Sequence, residues 1–165
     1  MDNQFARSLA VTAAVLMLFA MRSVACAFEV SPATDAAFDA GQTLTVEHEA
    51  VTLTFVSVSG GWNDAVSWPG ASPADGFRCH DVAPGFTTPI GHFDGRAEVQ
   101  LSLTTPDGDT WSTGAGLSNA DHTAHARLTV MPPDAVLVEW EDLPAGGDRD
   151  YNDCVVVLSI AELVP

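Results

Sequence analysis

The chain has 165 residues, with 6 basic against 22 acidic side chains, a formal net charge of −16 and no lysine. Nucleic acid and anionic lipid both require a basic face, so this balance excludes them as partners. It fits divalent cations, and it equally fits an acidic surface that keeps exported proteins apart.

The first 27 residues read as a secretory signal. Arg7 supplies the positive start, and Ser8 to Ala20 is an apolar stretch of 13 residues, too short to span a bilayer. Ala25-Cys26-Ala27 offers small residues where a signal peptidase reads, placing cleavage after Ala27. A lipoprotein would need Cys26 as its new N-terminus, but Ser23 stands where a lipobox prefers Leu. Removing 27 of the 165 residues leaves a mature domain of 138, residues 28–165, a natural size for one domain. Without Asp2, Arg7 and Arg22 it holds 21 acidic residues against four arginines, near −17. No later segment is apolar enough to cross a membrane, and no sorting tail precedes Pro165. A soluble protein secreted to the extracellular or periplasmic space is expected.

The mature chain reads as almost wholly β. Ser31 to Ala40 has room for a short turn, followed by Gln42 to Glu49 and Val51 to Ser59, rich in Val, Thr and Phe. In the second run Val51, Leu53, Phe55 and Ser57 share one side, and Thr52, Thr54, Val56 and Val58 the other. Ser59 to Phe93 is loop-rich, and loops of that length usually carry binding. Ala97 to Thr104 alternates again, with Val99, Leu101 and Leu103 in register. His125 to Met131, Ala135 to Trp140 and Cys154 to Ile160 complete the strands. Gly60-Gly61, Pro69-Gly70, Pro84-Gly85, Pro106 to Asp109 and Pro132 to Asp134 separate them. Short strands punctuated in this way predict a single-domain antiparallel β-sandwich or jelly-roll.

The most informative stretch is Trp140 to Asp153. Glu141, Asp142, Asp148, Asp150, Asn152 and Asp153 put six acidic or amide side chains into thirteen residues. Carboxylates crowded this closely either point into water or share a cation. The order Asp148-x-Asp150-x-Asn152 lets a tight loop aim alternate oxygens at one hard ion, usually Ca2+. The stretch is not an EF-hand: Asp153 stands at the sixth place, where that loop needs Gly, and Ser159 at the twelfth, where it needs Glu. Glu141 or Asp142 can complete the ligand set, brought back by the Gly146-Gly147 reversal. The alternative is a solvated hairpin with Asx-turns at Asp148 and Asn152.

Other residues carry weaker signals. Cys79 and Cys154, the two mature cysteines, invite a disulfide in an oxidising compartment. Asp107-Gly108-Asp109 reads as an ordinary hairpin turn. His122 and His125 would need a third ligand such as Cys79, His80 or His92 to make a zinc site; otherwise they are surface or hydrogen-bonding histidines. Trp62, Trp68, Trp111 and Tyr151 lie in or beside predicted loops, where aromatics can stack on sugar rings, and Asn63 beside Trp62 is a further candidate ligand contact. Trp140, ending a strand, reads as core. No GxSxG, HExxH or phosphate loop is present, and no catalytic residue is assigned; a carboxylate pair for glycoside hydrolysis is the remaining enzymatic possibility.

The run WEDLPAGGDRDYNDCVVV, residues 140–157, resembles the C-terminal signature of the bacterial domain-of-unknown-function family DUF4114, common in exported choice-of-anchor and PEP-CTERM-associated proteins. Thr110 to Gly114, Asn119 to His122 and His125 to Arg127 resemble the segment before that signature, and Gly60-Gly61-Trp62-Asn63 its early turn. The resemblance spans about residues 51–160. The family often has Gly where His122 stands, and often a C-terminal anchor that is missing here. The resemblance implies an extracellular, calcium-binding β-sandwich of the kind found in adhesins and surface proteins, without enzymatic activity. The expected function is thus a calcium-binding structural or binding module. The alternative is a carbohydrate-recognition or adhesion module whose partner is an extracellular glycan or surface protein.

Overall fold

The computed structural model describes residues 27–33, 41–47, 49–69 and 76–160. The expected signal segment, apart from Ala27, and most of the expected Ser31 to Ala40 turn lie outside the described residues. Twelve antiparallel strands and two short 3-10 turns make up the described chain. They are β1 (Phe28–Pro32), β2 (Gln42–Glu47), β3 (Ala50–Ser57), β4 (Ala65–Ser67), β5 (Phe77–Arg78), β6 (Thr87–His92), β7 (Arg96–Glu98), β8 (Ser102–Thr104), β9 (Thr110–Ser112), β10 (Ala126–Met131), β11 (Ala135–Trp140) and β12 (Cys154–Ile160). Three sheets form, in the orders β1-β2-β7, β10-β11-β12-β3-β6 and β5-β4-β8-β9. The architecture is the all-β class expected of a sandwich. Among the described residues no helix is long and apolar enough to cross a membrane.

Strand β12 organises the largest sheet. Its sequence, CVVVLSI, is apolar at nearly every position, as a strand buried on both faces requires. It pairs with β11 on one side, Val156 opposite Val138, and with β3 on the other, Leu158 opposite Leu53. The period-two pattern of β3 holds, with Val51, Leu53 and Phe55 buried and the threonines between them half-buried. All three sheets send side chains into one core: Leu44 and Val46 from the first, Leu53, Val138 and Leu158 from the second, Val66, Leu103 and Trp111 from the third.

The structure corrects the run Ala97 to Thr104. It stays extended but changes partners midway, so it is two strands rather than one. β7 pairs with β2, and β8 with β4 and β9. Between them Val99 N–H donates to the Leu44 carbonyl (2.8 Å) and Leu101 N–H to Thr113 Oγ1 (3.0 Å), carrying the chain from one sheet to another. The loop-rich stretch Ser59 to Phe93 also contains β4, β5 and β6. β4 and β5, of three and two residues, are too short to show a period.

Cys79 and Cys154 form the expected disulfide. It fastens the turn after β5 to the first residue of β12 and closes a loop of 75 residues. A loop of that size removes about 4 kcal/mol of unfolded-chain entropy. The Cys79→Ser/Cys154→Ser double variant should therefore be about 2–5 kcal/mol less stable in urea unfolding; an unchanged midpoint and slope would show that the bond does not hold the fold.

Candidate metal site

Register brings the site together. Trp140, ending β11, lies opposite Cys154, which begins β12, and Ser57, ending β3, lies opposite Val155. The loops leaving β3 and β11 and the loop entering β12 therefore meet at one end of the five-stranded sheet. Three links fasten them. Ser59 N–H donates to the Asn152 carbonyl (3.1 Å), Asp153 N–H donates to the Trp140 carbonyl (3.1 Å), and the disulfide follows at Cys154.

The loop from Pro144 to Asn152 turns through an unusual series of left-handed residues: Ala145, Gly146, Gly147, Arg149 and Tyr151 all have positive φ. Glycine is required at 147, where a Cβ would collide with the Glu141 carboxylate. This winding lets backbone N–H groups hold the carboxylates. Glu141 Oε2 accepts from Arg149 N (2.9 Å) and Oε1 from Leu143 N (3.3 Å). Asp153 Oδ2 accepts from Asp142 N (2.9 Å). Asp150 Oδ1 accepts from Asn152 N (3.0 Å), and Asp148 Oδ1 from Asp150 N (3.2 Å). Each oxygen keeps a second lone pair.

Glu141, Asp150 and Asp153 each present an oxygen, all within 4.8 Å of one another. Glu141 is 1% exposed, Asp153 half-buried and Asp150 exposed, so the group runs from the interior to the surface. Of the residues expected at the site, these three converge, and Asp142 lies on the inner side of Asp153. Asp148 and Asn152 serve as hydrogen-bond partners of Asp150, with Asn152 Nδ2 also donating to its Oδ2.

The sequence reading missed Asp64. It lies between the β3 end and β4, is 0% exposed, and neither carboxylate oxygen has a hydrogen-bond partner among the described residues. Its electrostatic neighbours are Asp142, Asp153 and the His80 imidazole. Asp64 and Asp142 can bond to each other only if one holds a proton. Burial pushes Asp64 above the usual carboxylate range; contact with Asp142 offsets part of this, and the charge of Asp153 adds to it. Burial, then repulsion from Asp153 and Asp64, raises Asp142 to about 7. Burial likewise raises Glu141 and Asp153. The sequence signal for Asp64 is slight, an acidic residue just before a strand and three positions after a Gly-Gly turn.

A second polar centre braces the loop from behind. His125 is fully buried and stacks on Trp111 at 3.8 Å between ring centroids. Its Nδ1 lies 2.9 Å from the Glu141 carbonyl and its Nε2 2.9 Å from Asp121 Oδ2, so both ring nitrogens have a partner. Asp121 also accepts from Ala145 N (2.6 Å) and Thr123 N (3.0 Å). Burial would raise this carboxyl, but the His125 bond and those N–H groups hold it below the usual range. His125 is thus a hydrogen-bonding core residue. His122, where the resembled family often has Gly, sits at φ 60°, a conformation that glycine adopts freely.

The aromatics expected at a ligand surface divide. Trp111 is 2% exposed and donates through Nε1 to the Asp142 carbonyl (2.7 Å), and Trp68 is 9% exposed. Neither offers a free face to a sugar ring, because strands β9 and β4 carry them into or against the core. Trp62 is half-buried. Asn63 is occupied within its loop: Oδ1 accepts from His80 N (3.0 Å) and Nδ2 donates to Asp81 (2.9 Å). Trp140 is core, as expected, at 0% exposure.

The model of the family described as Domain of unknown function (DUF4114) matches residues 100–161. This supports the resemblance carried by Trp140 to Asp153. The matched range holds Glu141, Asp142, Asp150 and Asp153; Asp64 and the Gly60-Gly61-Trp62-Asn63 turn lie upstream of it. No curated protein and no solved structure matches the chain.

The raised carboxyls give the metal-free protein a definite pH dependence. Folded Asp142 holds its proton up to about 7, while the unfolded group releases it near the ordinary value of 3.8. Between those values the folded state binds more protons, so stability falls as pH rises. In chelator, unfolding free energy should drop by on the order of 1–4 kcal/mol from about pH 4.5 to 7.5, measured by urea titration; a rise over that window would contradict the raised carboxyl.

Proposed function

We propose that this domain is an exported, calcium-binding β-sandwich that serves as a structural or binding module outside the cytoplasm. The observation that carries the reading is the convergence of Glu141, Asp150 and Asp153 oxygens within 4.8 Å, with Glu141 almost wholly removed from water. Ionised carboxylates at that separation repel in a medium that screens poorly. A hard divalent ion converts that repulsion into coordination. The donors are all oxygen, which suits calcium better than zinc or copper, and their mixed burial leaves room for water to complete six to eight ligands. The disulfide suits an oxidising compartment, where extracellular modules bind calcium at roughly 10⁻⁴–10⁻³ M.

In this role the ion's work is mechanical. It holds the loop entering β12 against the end of β11, coupling occupancy to folding. The reading assigns no catalytic residue. A glycan or adhesion reading would rest on Trp62, half-buried beside the Gly60-Gly61 turn. A glycan array comparing the native protein with Trp62→Ala tests it.

At calcium ten times its dissociation constant, mass action contributes about 1.4 kcal/mol, roughly 5 °C in melting temperature for a domain of this size. Asp150→Asn and Glu141→Gln should each reduce that gain in differential scanning calorimetry. Equal melting temperatures in calcium and in chelator would sink the reading.

A further inference from the structure

Asp64 is not explained by the group formed by Glu141, Asp150 and Asp153. It belongs to a different loop, and its carboxylate neighbours are Asp142 and Asp153 rather than Glu141 and Asp150. Fully buried carboxylate oxygens without a donor are costly, because the desolvation of an ionised group is offset only by a proton, a donor or a cation. Among the described residues no donor reaches either oxygen unless Asp142 holds a proton. What faces Asp64 instead is more carboxylate, from Asp142 and Asp153.

The geometry around Gly60 fixes where Asp142 and Asp153 lie. A Cβ at Gly60 would stand 2.8 Å from Asp153 Oδ1 and 3.5 Å from Asp142 Oδ2, so both oxygens converge on the bare backbone of that residue. The Gly60 carbonyl is held by His80 Nε2 (3.0 Å), and the Asp64 carbonyl accepts from Cys79 N (2.8 Å). The wall carrying Asp64 is therefore fastened to the disulfide. Glu141 and Asp142 are consecutive, and consecutive side chains of an extended segment face opposite ways. Their neighbours differ accordingly. Glu141 meets Leu143, Gly147 and Arg149, while Asp142 meets Gly60, Asp64 and Asp153. Asp153 stands between the two sets.

We propose that Asp64, Asp142 and Asp153 form a second, buried cation site behind the first, with Asp153 bridging two calcium ions. The inference rests on the calcium reading above and extends it. Charge favours two ions. Asp64, Glu141, Asp142, Asp150 and Asp153 carry five negative charges when ionised; one divalent ion leaves three of them uncompensated, whereas two leave one. The inner site also draws in a loop from the first half of the mature chain, so its ion joins the β3–β4 loop to the loop entering β12.

The test is calcium stoichiometry by equilibrium dialysis on the purified, disulfide-intact chain after chelator stripping, with melting curves in calcium and in chelator. The native protein should hold two ions, and Asp64→Asn and Asp150→Asn one each. In chelator Asp64→Asn should melt no lower than the native protein, since the amide removes a buried charge; in calcium it should melt lower. If Asp64→Asn does not fold, Asp142→Asn takes its place. One ion in the native protein, kept by Asp64→Asn, overturns the second site and leaves the calcium reading standing. A single ion in the native protein that is absent from both variants shows a single centre and overturns the two-ion arrangement. An equal destabilisation of Asp64→Asn in both conditions assigns Asp64 a purely structural role and overturns the site. No ion in the native protein removes both readings.

Discussion

Three buried carboxylates, Asp64, Glu141 and Asp142, and the half-buried Asp153 meet at one end of the central sheet, and the rest of the site exists to make that tolerable. An ionised carboxylate withdrawn from water needs a proton, a donor or a cation. Glu141 and Asp153 receive backbone donors from the wound loop, while Asp64 and Asp142 receive mostly each other. In the proposed arrangement cations would satisfy the group, and a proton on the inner pair satisfies part of it. If a cation binds as proposed, it competes with that proton, and its occupancy would depend on pH over the window in which Asp142 titrates.

The surrounding structure holds this repulsion in place. The disulfide, the Ser59–Asn152 and Asp153–Trp140 backbone bonds and the core strand β12 resist separation on one side. On the other, the stacked Trp111 and His125 pin the Glu141 carbonyl and, through Asp121, the turn at Ala145. Arg127 lies over the Tyr151 ring at 5.0 Å and anchors the outer part of the loop. Most of these contacts are polar, so the loop is shaped by directional bonds rather than by apolar packing.

The alternating strands β3 and β11 and the continuously apolar β12 could be read from the chain almost to their ends, because burial on one or both faces dictates their composition. The short strands β4, β5 and β9 could not, since their extended state follows from neighbours supplied by distant segments. The acidic run from Glu141 to Asp153 announced itself by local density. Asp64 did not, because its role depends on the pairing of β3 with β12, which no local pattern records. Trp111 looked like a loop aromatic beside a turn, yet strand pairing with Leu103 carries it into the core. His125 stood among weak metal signals, although its partners are a carbonyl and a carboxylate brought in by tertiary contacts.

The position of β12 bears on the order in which the molecule assembles. It lies between β11 and β3, and its pairing with β3 joins residues such as Ser57 and Val155 across most of the chain. When a polypeptide emerges from its N-terminus, β3 waits with one edge open until residues 154–160 are free to insert. Such long-range pairing is slow, because the loop entropy is lost before the contacts form. The central sheet, the Cys79–Cys154 bond and the carboxylate centre therefore close together as a late event, and the half-emerged chain exposes the apolar edge of β3 in the meantime.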